Sequence, residues 1–153
     1  MVARKIIGII FSIIAIVSSV ILITQSNLSF DFNAYFDFSL KSYFSLAYLR
    51  QITPLFICLI LLYGGLLLII KPLKSNPVLA LFGFIVLEEV IFNWLDIIPI
   101  NFPTYIVVTF FCCALLALWI AYSNTINLKR LSFQEGITSL ILGTLINAFS
   151  YYF

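Results

Sequence analysis

Glu88 and Glu89 are adjacent carboxylic acids in the middle of an apolar run, and Asn93 and Asp96 follow Glu89 at i+4 and i+7. On a helix those spacings put Glu89, Asn93 and Asp96 on one face, with Glu88 about 100° around from it. Acids so placed suit three kinds of chemistry. They can form a hydrogen-bonded network that fixes helix packing, pass protons or other cations stepwise, or attract a cationic side chain or ligand. Which of these is open to them depends on whether the segment lies in water or in lipid.

Composition decides that question. Of 153 residues, 63% are hydrophobic and 9% charged, against roughly a quarter charged in a soluble domain. Too little polar surface remains to keep a folded chain in water, so the chain reads as an integral membrane protein whose first partner is the lipid bilayer. It contains no histidine, which excludes imidazole-held haem, Ser-His-Asp catalysis and His-ligated zinc. Cys58, Cys112 and Cys113 fall in apolar stretches without a C-x-x-C spacing. They read as small packing groups, and neither a metal nor a cofactor is expected.

The acids must therefore be positioned by membrane-spanning helices, each of which needs about 20 mostly apolar residues. The expected fold is all-α: a polytopic transmembrane helical bundle forming one domain over residues 1–153. Five spans are expected, at about 6–24, 54–70, 78–98, 104–122 and 136–152, or four if the last lies on the interface. The first reads as a retained anchor, because its apolar run exceeds a signal core and no small-residue cleavage site follows. Thr53-Pro54 and Asn76-Pro77 predict capped helix starts, Pro72 predicts a stop, and Pro99 and Pro103 bracket a tight link between the third and fourth spans. Ser132-Phe133-Gln134-Glu135 has the pattern of a capping box at the start of the fifth.

Charge orients the bundle, since Lys and Arg flanking spans stay on the cytoplasmic side. Arg4, Lys5, Lys71, Lys74, Lys129 and Arg130 fall on one side by this alternation, against Lys41 and Arg50 on the other. The N terminus is expected in the cytoplasm and, with five spans, the C terminus outside, in a cell membrane read as the bacterial inner membrane. Helices in lipid associate through small residues. Gly8, Ser12, Ala15 and Ser19, then Thr109, Cys113, Ala117 and Ala121, then Gly136, Ser139, Gly143 and Asn147 supply such stripes at helical spacing.

The loop over residues 25–51 is rich in aromatic residues, among them Phe30, Phe32, Phe36, Phe38, Tyr43, Phe44 and Tyr48. Leu40 to Arg50 has the pattern of an external amphipathic helix at headgroup level, acting as an aromatic anchor or as a lid over a site opening outward.

Two acids at mid-bilayer cost on the order of 5 to 7 kcal/mol, and the apolar residues of the same span return roughly 4 to 8 kcal/mol. Insertion is near balance, so the acids are expected to face protein or a water-filled cavity. The pair is expected to hold at least one proton between them, with Glu88 the neutral member and Ser18, Ser19, Thr144 or Asn147 as network partners. Glu88-Glu89-Val90-Ile91-Phe92-Asn93 resembles the Glu-Glu-x-x-x-Arg motif of the CAAX-protease and bacteriocin-processing membrane family. Asn93 stands where that motif has arginine, and the family's other catalytic motifs require histidines that this chain lacks, so the resemblance implies no protease activity.

The sequence thus points to a small non-enzymatic membrane protein, an accessory, assembly or partner-binding subunit. Its expected partners are a second membrane protein or further copies of itself, and nucleic acid is not among them. Two other classes fit the same residues: a small transporter or channel in which Glu88, Glu89, Asn93 and Asp96 handle protons or cations, and a protein that binds lipid or a hydrophobic ligand beneath the Phe-rich loop.

Overall fold

The computed structural model describes residues 2–25, 46–97, 103–123, 128 and 130–152. They form an all-α bundle of five helices: α1 (Val2–Gln25), α2 (Leu46–Ile70), α3 (Ser75–Trp94), α4 (Thr104–Tyr122) and α5 (Phe133–Tyr152). A short 3₁₀ turn, Pro72–Lys74, joins α2 to α3. The first four helices contain stretches long and apolar enough to cross a membrane. The fifth matches them in length, and its Thr, Ser and Asn residues make it more polar.

Close approaches at glycines set the arrangement. Gly8 of α1 meets Gly65 of α2, Gly64 of α2 meets Leu79 of α3, and Gly83 of α3 meets Leu118 of α4. Each pair joins the early part of one helix to the late part of the other, so successive helices run antiparallel. Ser139 of α5 instead donates a hydrogen bond to the Pro77 carbonyl of α3 at 3.2 Å, and farther along Gly143 packs on Phe84 and Ile85. Thus α5 runs parallel to α3. The central element is α3, packed against α2, α4 and α5, while α1 packs along α2. One end of the bundle consequently gathers Arg4, Lys5, Lys71, Lys74 and Arg130.

Burial follows the same plan. Phe11, Ile57, Leu61, Phe82, Ile85 and Phe110 fill the centre, with the Phe82 and Phe110 rings edge to face at a centroid distance of 6.1 Å. On α1, Ile6, Ile9, Ile13, Ile16 and Val20 lie about half exposed. Such a stripe is costly in water and matches a hydrocarbon surround. The chain is therefore a membrane-embedded helical protein.

The structure moves two expected helix starts. Pro54 does not open the second span; α2 begins at Leu46 and carries Pro54 in its interior. Leu, Ala, Arg and Gln in the preceding turns are good helix formers and extend the helix past the proline, whose missing N–H is tolerated where neighbours satisfy the freed carbonyl. Residues 46–50, expected in a separate surface helix, belong to α2 as well. Similarly, Asn76 does not cap α3. The 3₁₀ turn runs directly into that helix at Ser75, whose hydroxyl donates to the Pro72 carbonyl at 2.7 Å. Asn76 and Pro77 then occupy the first turn. The third expected boundary holds: the Ser132 amide and hydroxyl donate to Glu135 Oε2 at 2.9 and 2.8 Å, and the Glu135 amide donates back to Ser132 Oγ at 3.3 Å.

Candidate functional site

The acids come from α3, and its register changes their depth. The helix ends at Trp94 rather than continuing to Ile98, leaving Glu88 and Glu89 roughly 9 and 7.5 Å from its end at 1.5 Å per residue. They sit in its last third, not at its centre, and the insertion penalty falls with that depth.

Helix α3 stops in a Schellman turn. The Ile97 amide donates to the Phe92 carbonyl at 2.9 Å and the Asp96 amide to the Asn93 carbonyl at 3.0 Å, a pairing that satisfies two of the final carbonyls. Asp96 takes the left-handed position of this turn, with φ 56°, and its side chain is exposed. It therefore does not continue the face of Glu89 and Asn93, and the expected three-step ladder is two steps long. Asn93 is half-buried, one turn beyond Glu89. Glu89 turns into the bundle and is 5% exposed.

Glu88 faces α5. Its Oε1 lies 2.8 Å from Thr144 Oγ1, and its Oε2 accepts a hydrogen bond from Asn147 Nδ2 at 3.1 Å. The same amide nitrogen donates to the Ile85 carbonyl at 3.1 Å, and Thr144 Oγ1 lies 3.1 Å from the Leu140 carbonyl oxygen. Asn147 is fully buried, and its Oδ1 meets no hydrogen-bond donor among the described residues. Thr144 is exposed and Glu88 half-buried, so the cluster reaches the outer surface of the bundle along the α3–α5 seam. Exposed Ile91 and Leu140 flank it one turn away on the two helices.

This grouping depends on the small face of α5. Gly136, Ser139, Gly143 and Asn147 are all buried, which brings the two backbones close enough for side chains as short as Thr and Asn to reach Glu88. Of the partners named from sequence, Thr144 and Asn147 are used. Ser18 and Ser19 belong to α1, and Ser19 donates instead to the Ala15 carbonyl of its own helix at 2.8 Å. The Ser139 bond to Pro77 had no signal beyond its place in the stripe. Cys58 and Cys113 are buried and Cys112 is exposed, as adjacent positions on a helix require. Among the described residues, no three His, Cys, Asp or Glu side chains converge as metal ligands.

At the basic end, a groove of about 410 Å³ opens between the starts of α3 and α5. Val78, Leu81 and Leu142 contribute its apolar lining, and Gln134 and Thr138 its polar part. Phe30, Phe32, Phe36, Phe38, Tyr43 and Phe44 lie outside the described residues, and Tyr48 is placed only as part of the α2 backbone. No family model, curated protein or solved structure matches the chain.

Proposed function

We propose that this protein is a non-enzymatic subunit of a membrane complex and that its α3–α5 seam is where another membrane-spanning helix docks. The observation that carries the reading is the surface position of Glu88 and Thr144, which present oxygen atoms between exposed Ile91 and Leu140. Polar groups facing lipid are costly, and a helix bearing hydroxyl or amide side chains at that level would offset the cost by hydrogen bonding. A ladder for transport is less well served, because Asp96 leaves the helix face. The gathering of Arg and Lys at one end supports a cytoplasmic placement of that end, in a bacterial inner membrane on this reading.

A photoreactive amino acid at Ile91 or Leu140 should crosslink a stoichiometric protein in intact membranes, and one at Ile13, on the far side of α1, should not. Thr144→Val should weaken that capture several-fold while the protein stays folded. Capture of a second copy would assign the seam to a homo-oligomer. Capture of lipid alone would reject a protein partner. A second reading, lipid binding, is favoured by the groove at the basic end; a co-purifying lipid displaced by Leu81→Trp would support it.

A further inference from the structure

Two stripes of residues flank the groove at the basic end. On α3, Lys74, Val78 and Leu81 stand at i, i+4 and i+7, and Lys74 already has helical backbone angles as the residue before Ser75. On α5, Gln134, Thr138 and Leu142 stand at i, i+4 and i+8. Residues so spaced share a helix face. Five of the six line the groove, and Lys74 is exposed one turn before Val78.

Because α3 and α5 run parallel, both stripes change character in the same direction. Lys74 and Gln134 stand at the end of the bundle, Val78 and Thr138 a turn deeper, and Leu81 and Leu142 deepest. At 1.5 Å per residue, Leu81 lies about 10 Å from Lys74 and Leu142 about 12 Å from Gln134. Half of a hydrocarbon core is about 15 Å thick. The groove therefore has the polarity and the depth of one lipid leaflet. We infer, on the reading that this groove holds lipid, that its occupant is an anionic phospholipid, with an acyl chain along Val78, Leu81 and Leu142 and its phosphate against the Lys74 ammonium and the Gln134 amide.

Size favours a lipid over a protein segment. The groove holds about 410 Å³. A helix of the same reach and about 10 Å diameter needs on the order of 900 Å³, whereas a hydrocarbon chain about 4 Å wide needs on the order of 150 Å³. Nor can the walls part easily, because Ser139 is bonded to the Pro77 carbonyl at 3.2 Å and Gly143 packs on Phe84 and Ile85. Thr144 lies about 200° around α5 from Leu142, so the groove and the Glu88 seam are separate surfaces.

Charge selects the headgroup. Lys71, Lys74 and Arg130 are exposed at this end, and basic pockets between spanning helices suit anionic headgroups. The acid in the wall, Glu135, is turned to its own helix start, where its Oε2 accepts from the Ser132 amide and hydroxyl. A headgroup with its own ammonium would set a further cation against the three basic residues.

Native mass spectrometry tests the assignment. The purified protein, equilibrated in nanodiscs of equal phosphatidylglycerol and phosphatidylcholine with matched chains and then released into mild detergent, should retain a phospholipid. Phosphatidylglycerol should be favoured about five-fold, the effect of one lysine at a charged membrane surface. Lys74→Gln should bring that ratio to about one while lipid is still retained. Leu81→Trp should fill the groove and remove the lipid, as should Thr138→Trp at an exposed position if the first variant fails to fold; Ile13→Trp on α1 should change nothing. Lipid absent from the wild type, or undisturbed by either groove tryptophan, would overturn lipid binding in the groove itself. Lipid displaced by the tryptophan but retained without regard to headgroup would overturn the anionic selection alone, and a preference unmoved by Lys74→Gln would overturn the place of the phosphate.

Discussion

Gly8 and Gly65 meet backbone to backbone: a Cβ on Gly8 would lie 2.7 Å from the Gly65 carbonyl oxygen, and one on Gly65 would lie 2.8 Å from that of Gly8. Ser12 closes the same contact, with its Oγ 2.7 Å from a Cβ on Gly65 and its hydroxyl bonded to the Gly8 carbonyl at 2.9 Å. Helix α1 packs chiefly along α2, so this crossing carries much of its contact with the bundle.

Gly8→Ala and Gly65→Ala should each destabilise the bundle by about 1–3 kcal/mol, since backbone rather than a flexible side chain must move. Gly143→Ala is the control. Its Cβ would lie 3.4 Å from its nearest neighbours on α3, a distance that a small adjustment accommodates. Reversible unfolding in mixed micelles should give a midpoint lowered by the first two substitutions and near wild type for the third. Equal losses at all three positions would show that the α1–α2 crossing is not especially tight.

At the opposite end of the bundle, Asp96 adopts a left-handed backbone with φ 56°. This conformation costs a residue with a Cβ roughly 1–2 kcal/mol, less for Asp than for branched side chains, and glycine is the usual occupant at this place in a helix-ending turn. Asp96→Gly should therefore stabilise the protein by up to about 1 kcal/mol, after the extra chain entropy of glycine is counted, and Asp96→Val should destabilise it. The same unfolding measurement separates them. A loss of stability in Asp96→Gly would show that the carboxylate contributes more than the backbone strain costs.

Four helices long and apolar enough to span were legible because length and apolar composition are properties of a segment alone, and the buried α5 stripe of Gly136, Ser139, Gly143 and Asn147 was legible from its spacing. Helix pairing was less so. Thr144 and Asn147 were visible as polar residues, but their meeting with Glu88 depends on α5 lying parallel to α3 at one register, which no local pattern encodes. Thr109 fits its stripe by spacing, yet it is exposed while neighbouring Phe110 is buried, because the rotation of α4 is set by the large ring packed against Phe82. The end of α3 at Trp94 was hidden by the absence of glycine at its left-handed position. Pro54 misled in the opposite sense, as a helix breaker inside a helix that continues.

The sidedness proposed for the bundle rests on its one basic end. Lys74 and Arg130 are exposed there, while Trp94 and Ile97 are exposed at the other. Ser75, though next to Lys74, is fully buried and would make a poor labelling site. With Cys58, Cys112 and Cys113 replaced by Ala, single cysteines at Lys74 and Arg130 should react with a membrane-impermeant maleimide only after the cytoplasmic face is opened. Cysteines at Trp94 and Ile97 should react from outside. Lys and Arg retained beside spans on the cytoplasmic side drive this asymmetry. Adding two lysines beyond Ile97 should therefore weaken it, seen as a mixed labelling pattern. Labelling of Lys74→Cys from outside would invert the bundle, and labelling of Lys74→Cys and Arg130→Cys from opposite faces would break the pairing of α3 with a parallel α5.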